Sequence, residues 1–132
     1  MTREPYEFRE LSRRECLDVF QPDCVCTLGI SGVRDVAVEV AAAGKIFSPH
    51  TWGNGIGLRA NLHVVAGTAG TPFIEYPFDP PEWTASRRDF MLTEPVEPDE
   101  DGSLDPGDAP GLGIELDEAM LERTLSGSAT FA

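Results

Sequence analysis

Basic charge is what this sequence has least of. Ten Lys and Arg residues face 23 Asp and Glu in a chain of 132, giving a formal net charge of −13 and a pI near 4.3; Lys45 is the only lysine. A phosphate backbone is bound through a basic face, so nucleic acid is not an expected partner. An acidic, lysine-poor surface suits a high-salt cytosol, where screening tolerates like charge, and a halophilic source is the expectation. Long apolar runs are missing as well. No stretch approaches the ~20 residues of a membrane helix, and the start, "MTREPYEFRE", carries no apolar signal-peptide core. A cytoplasmic chain without a membrane partner is expected. The three cysteines, Cys16, Cys24 and Cys26, are too few for a disulfide framework and have no second ligand cluster beside them. They read as buried, reduced thiols. Histidine is scarcer still, with only His50 and His63.

What is present is enough apolar residue, 41%, for one domain with a real core. "EPYEFRELSRREC" spaces Phe8, Leu11 and Cys16 as an amphipathic helix. "LDVFQPD" is a short apolar strand ended by Pro22. "ISGVRDVAVEVAAAGK" predicts a helix capped by Ser31 and stopped at Gly44. "KIFS" is a second strand, "GIGLRANLHVVAGTAG" a third helix, and "TPFIEYPF" a third strand closed by proline. Helix and strand thus alternate as right-handed βαβ crossovers with parallel strands, an α/β architecture over residues 1–78. Residues 79–132 change character. This part holds six of the chain's eleven prolines, and six acids fall between Glu97 and Asp108, which predicts turns and irregular segments before a closing helix at "LDEAMLERTL".

In parallel α/β folds the reacting groups collect beyond the carboxyl ends of strands. Asp23, His50 and Glu75 each mark the end of one of the three expected strands. Adjacent strands lie ~4.8 Å apart, so neighbouring groups can touch. A carboxylate bonded to imidazole fixes its tautomer and raises its basicity, which makes a proton-transfer pair. Taken singly, Asp23 is an ordinary turn residue, His50 a loop residue and Glu75 a surface partner; their equal placement is what favours a shared site. Trp52 and Asn54 stand in the loop after His50, where they could contact a polar substrate or simply serve the turn. His63 lies inside a helix and reads as packing.

Four segments, "DVFQPDCVCTLGISG", "GKIFSPHTWGNGIGLRANLHVVAG", "FIEYPFDPPEW" and "DGSLDPGDAPGLGIELDEAML", together resemble the C-terminal part of the enolase superfamily. The likeness is to the mandelate racemase branch with its acid-sugar dehydratases. The resemblance implies a partial (β/α)8 TIM barrel, comprising the last three strands with their helices plus an irregular C-terminal segment. It implies that His50 is the general acid/base, Asp23 its partner and Glu75 the glutamate of the eighth strand. It further implies a sugar-acid substrate, an enolate intermediate and Mg²⁺ as cofactor. Leu28-Gly29 stands where the family commonly has a double glycine.

The family's metal carboxylates lie on the third to fifth strands and a partner lysine on the second, and this chain has no counterpart of them. A whole barrel needs ~250 residues. The resemblance therefore implies a C-terminal fragment of a sugar-acid dehydratase, inactive alone and holding no metal ligand of its own. Its expected partner is a missing N-terminal half or another copy in a homo-oligomer, because unpaired strand edges invite pairing. The rival readings are a racemase or epimerase of the same superfamily, and a non-enzymatic α/β module that binds a carboxylate ligand. If the acidic surface is a high-salt adaptation, the far-ultraviolet circular dichroism of the chain strengthens as salt is raised to molar levels. Complete folding in dilute buffer contradicts that adaptation.

Overall fold

The computed structural model describes residues 4–68 and 73–127. Glu4 opens α1 (Pro5–Arg13) with a capping box, in which the Glu7 carboxylate accepts the Glu4 N–H at 3.0 Å while Pro5 occupies the first turn. Phe8 is the residue α1 buries. The helix ends before Cys16, because Glu15 turns the chain with φ +54°. Cys16 is consequently exposed, as is Cys26, and only Cys24 is the buried thiol the sequence suggested for all three.

Two strands, β1 (Val19–Phe20) and β2 (Ile46–Phe47), pair in parallel with Val19 opposite Ile46 and Phe20 opposite Phe47. Between them runs α2 (Gly29–Ala42), entered through a π-helical turn at Cys24–Leu28. Ser31 is therefore not the cap. The Asp23 side chain takes that role by accepting the Val25 N–H, and the chain is already helical when it reaches Ser31. Gly44 closes the helix exit with φ +69°, the left-handed conformation glycine adopts without strain.

Strand alternation puts Phe20 and Phe47 on one face, both essentially without exposure, packed with Phe8 of α1, Val33, Val36 and Val40 of α2, and Val64 of α3 (Gly55–Ala66). Val19 and Ile46 on the opposite face are 43% and 47% exposed. Parallel strands are ordinarily covered on both faces. Here the described residues cover one.

The third strand does not form in the described part of its segment; Phe73–Phe78 carries no ladder, and Thr71 and Pro72 lie outside the described residues. Pro49 and Pro77 have no N–H to donate, and side-chain bonds take the ladder's place. The Thr51 backbone N–H donates to Glu75 Oε2 at 2.8 Å, and the Thr51 hydroxyl donates to the Glu75 carbonyl at 2.5 Å.

The remaining segments pack on α3 through a second core of Leu58, Met91, Leu92 and Val96. Within it Arg88, at the end of α4 (Ala85–Arg88), is 1% exposed and pairs bidentately with Asp89 at 2.7 and 2.6 Å. Its guanidinium also donates to the carbonyls of Pro77 and Val96 and lies 4.6 Å from the centre of the Tyr76 ring. A buried charge is tolerated when paired and fully bonded, and this one ties three segments together. Arg59 of α3 does the same for the acidic stretch, donating to the carbonyls of Asp105, Pro106, Leu112 and Gly113. The closing helix, α5 (Glu118–Thr124), forms where expected, with Asp117 as its cap.

Gly55 opens α3 directly against this buried pair: a Cβ there meets Asp89 Oδ1 at 2.5 Å and Leu92 Cδ1 at 2.7 Å. Gly55→Ala should lower stability in urea by about 1–3 kcal/mol through overpacking, although alanine is intrinsically the better helix former by about 1 kcal/mol. A neutral or stabilising result contradicts an Asp89 held in place by Arg88.

Candidate active site

The two strands end on the same local pattern, Phe20-Gln21-Pro22-Asp23 and Phe47-Ser48-Pro49-His50. Both prolines are fully buried, and each removes the donor that the next ladder bond needs. The last ladder bond runs from the Ser48 N–H to the Phe20 carbonyl at 3.0 Å. Because Phe20 pairs with Phe47, the groups three residues beyond each strand also come side by side. Asp23 Oδ2 meets His50 Nδ1 at 2.9 Å.

Asp23 is 4% exposed, and its other oxygen, Oδ1, accepts from the Val25 N–H at 2.8 Å and from Asn61 Nδ2 at 3.2 Å. Burial pushes its pKa up, but the bonds from His50, Val25, Asn61 and Cys26 together hold it below the usual carboxylate value. An ionised carboxylate only accepts, so the His50 proton belongs on Nδ1, and Nε2 is the nitrogen turned away from Asp23. The His50 side chain is 36% exposed, beside a cavity of about 260 Å³ that runs along β1 from Phe8 and Leu11 to Asp23 and His50. Cys24, next to the pair, is a silent thiol: burial and the Asp23 charge push it up to about 12.

Glu75 is brought to the same end of the sheet but does not hydrogen-bond His50. It reaches the loop through Thr51, the residue after His50, which is 2% exposed. Trp52 is 45% exposed and stacks on Trp83, ring centres 6.5 Å apart and planes inclined by 29°. The Asn54 side-chain oxygen caps α3 by accepting the Gly57 N–H at 3.1 Å. His63 is in α3 with its Nε2 3.3 Å from the Leu112 carbonyl, a packing contact.

Sequence reasoning missed two supports of the site, Thr51 and Asn61. Asn61 carried a signal: it is the amide inside the apolar run of "GLRANLHVVAG", and it is 0% exposed. A polar side chain in such a run needs partners in the core.

Among the described residues no cluster of three His, Cys, Asp or Glu side chains could hold a metal ion. Asp23 and His50 are committed to each other. The donor set found here does not fit a divalent cation.

The structure is thus an α/β arrangement with an imidazole–carboxylate pair at the carboxyl ends of two parallel strands. The sequence profile of the family described as "Enolase C-terminal domain-like" matches residues 1–120, and the chain belongs to that family. Arabinonate dehydratase of Saccharolobus solfataricus is 32% identical over 117 residues, which cover 89% of this chain and 30% of that protein. Among solved structures, the 3,6-anhydro-D-galactonate cycloisomerase of Zobellia galactanivorans superposes with a TM-score of 0.81 at 29% identity, covering 95% of this chain and 34% of that one. A mandelate racemase/muconate lactonizing protein of Paracoccus denitrificans, solved with magnesium, gives 0.72 at 32% identity, covering 92% and 31%. The chain spans about 30% of the length of the curated relatives it matches.

The lowered Asp23 pKa has a pH consequence. The stability it contributes is fully present above the unfolded value of ~3.9 and is lost as pH falls through the lower folded value. Asp23→Asn should therefore cost stability at pH 7, and its difference from the parent should shrink below about pH 4. A difference unchanged down to pH 3 in urea unfolding contradicts the ionised, donor-held carboxylate.

Proposed function

We propose that this chain supplies the proton-transfer edge of a sugar-acid dehydratase, in a barrel of which β1, β2 and the Glu75 segment are the sixth to eighth strand positions. The observation that carries the reading is the 2.9 Å bond between Asp23 and His50 at in-register strand ends. In the dehydration of an aldonic acid, the proton beside the carboxylate is removed and the C–O bond to the β-hydroxyl breaks. His50, protonated and steadied by Asp23, gives its Nε2 proton to the departing hydroxyl, which leaves as water. The enol that remains tautomerises to a 2-keto-3-deoxy acid. Asp23 holds the imidazole orientation. Thr51 and Glu75 fix the loop that carries His50, and Trp52 offers an aromatic face to the sugar chain.

The magnesium of the family and the base that removes the first proton lie, on this reading, on strands outside these residues, supplied by the part of the relatives that the chain does not span. The exposed Val19–Ile46 face and the likeness to arabinonate dehydratase support that assignment. A cycloisomerase is the second reading, favoured by the superposition on the Zobellia enzyme. The same His50 then delivers a proton to an intermediate whose ring oxygen is the leaving group.

The test combines this chain with preceding barrel strands from a full-length relative, adds magnesium, and screens aldonic acids and sugar lactones. A 2-keto-3-deoxy acid is the expected product, and His50→Asn should reduce its formation at least 100-fold, the low end of what a general acid contributes, while leaving the fold intact. Product formed at the parent rate by His50→Asn removes His50 from the chemistry. A keto acid formed only from cyclic lactones or anhydro acids, with open-chain aldonic acids unreactive, moves the assignment to a cycloisomerase.

A further inference from the structure

Each strand is only two residues long, so two parallel residue pairs do little to fix groups three positions beyond them. Something else must hold Asp23 and His50 at bonding distance. We propose that Asn61 is the positioning residue of the pair: one buried amide that holds both loops and bonds the Asp23 oxygen opposite the one that meets His50. This rests on the reading of His50 as the acid/base above.

The Asn61 side chain makes contacts to four partners. Its Nδ2 lies 3.2 Å from Asp23 Oδ1, 3.4 Å from the His50 carbonyl and 3.1 Å from the Gly57 carbonyl, and its Oδ1 accepts the Cys24 N–H at 3.1 Å. The partners settle the amide's orientation. An N–H must meet an oxygen and three oxygens must meet the nitrogen, so the flipped amide is excluded. One rigid plane on α3 therefore gauges the loop after β1 and the loop after β2 from a third element. With Val25 and Asn61 both on Oδ1, the imidazole finds its acceptor at Oδ2. A merely structural amide would satisfy buried carbonyls and leave the imidazole tautomer untouched. A positioning amide controls it.

The chain has two histidines and two asparagines, so each signal can be assigned. His50 should be protonated on Nδ1, facing Asp23. His63, whose Nε2 faces the Leu112 carbonyl, should be protonated on Nε2 and serves as an internal report on the fold. Nitrogen-15 spectra of labelled histidine are compared between the parent, Asn61→Leu and Asn61→Ser at a pH where both rings are neutral. The expected result is a His50 that moves from Nδ1–H towards a mixture of tautomers while His63 is unchanged. A His50 that stays Nδ1-protonated in either variant with a native His63 signal overturns the proposal. In the parent, the Asn61 amide protons should exchange with solvent far more slowly than those of Asn54. Rapid exchange of both overturns the proposal without any substitution, so misfolded variants do not decide the matter. Failure of every sugar acid to react, with the tautomer result intact, removes the functional reading and leaves Asn61 as the gauge of the pair.

Discussion

The parallel register of two very short strands is the constraint on which the site depends. Phe20 opposite Phe47 fixes which residues leave the sheet together, and the following Pro22 and Pro49 end both strands at the same level. A slip of one strand by one residue would turn its phenylalanine out of the core and separate Asp23 from His50. The energetic weight behind the register is apolar. Two phenylalanines with essentially no exposure pack against three helices, and each fully buried large side chain contributes about 1.5–3 kcal/mol.

Two buried polar networks then extend order beyond the strands. Around Asn61, one amide joins the π-helical turn, the His50 loop and α3. Around Arg88 and Asp89, a fully satisfied ion pair joins the Glu75 segment to the residues that follow it. Such networks are costly when half made and specific when complete, which suits segments without a ladder of their own. Glu75 reaches the His50 loop because Arg88 fixes Pro77, two residues from Glu75, and the Thr51 N–H donates to the carboxylate.

Much of this was legible in the sequence, and the failures have physical causes. The spacing of Phe8, Leu11 and Cys16, the stop at Gly44, and the pattern of "GIGLRANLHVVAGTAG" gave three helices, and the short apolar runs "LDVFQPD" and "KIFS" gave two strands. The strand-end positions of Asp23 and His50 followed from those strands alone. The third strand was misread because an apolar run bounded by proline looks the same whether its backbone pairs or is held by side chains. Ser31 was misplaced as a cap because Asp23, already noticed for its chemistry, also starts the helical turn. Asn61 and Arg88 act through partners distant in sequence, Cys24 and Pro77 among them, and no local period encodes such contacts. The cysteines were read by type, whereas the +54° φ of Glu15 and the wide turn at Cys24–Leu28 decide which of them is buried.

Membership of the enolase C-terminal domain-like family and the observed geometry meet at one bond, between a buried carboxylate and a part-exposed imidazole. Everything proposed about proton transfer requires that these two side chains act as a unit. A double-mutant cycle at pH 7, with Asp23→Asn, His50→Gln and the two combined, measures that directly through unfolding in urea. A coupling of about 1 kcal/mol or more is expected for a bond to an ionised, buried acceptor. Effects that add to within about 0.3–0.5 kcal/mol would show two independent side chains and contradict the account.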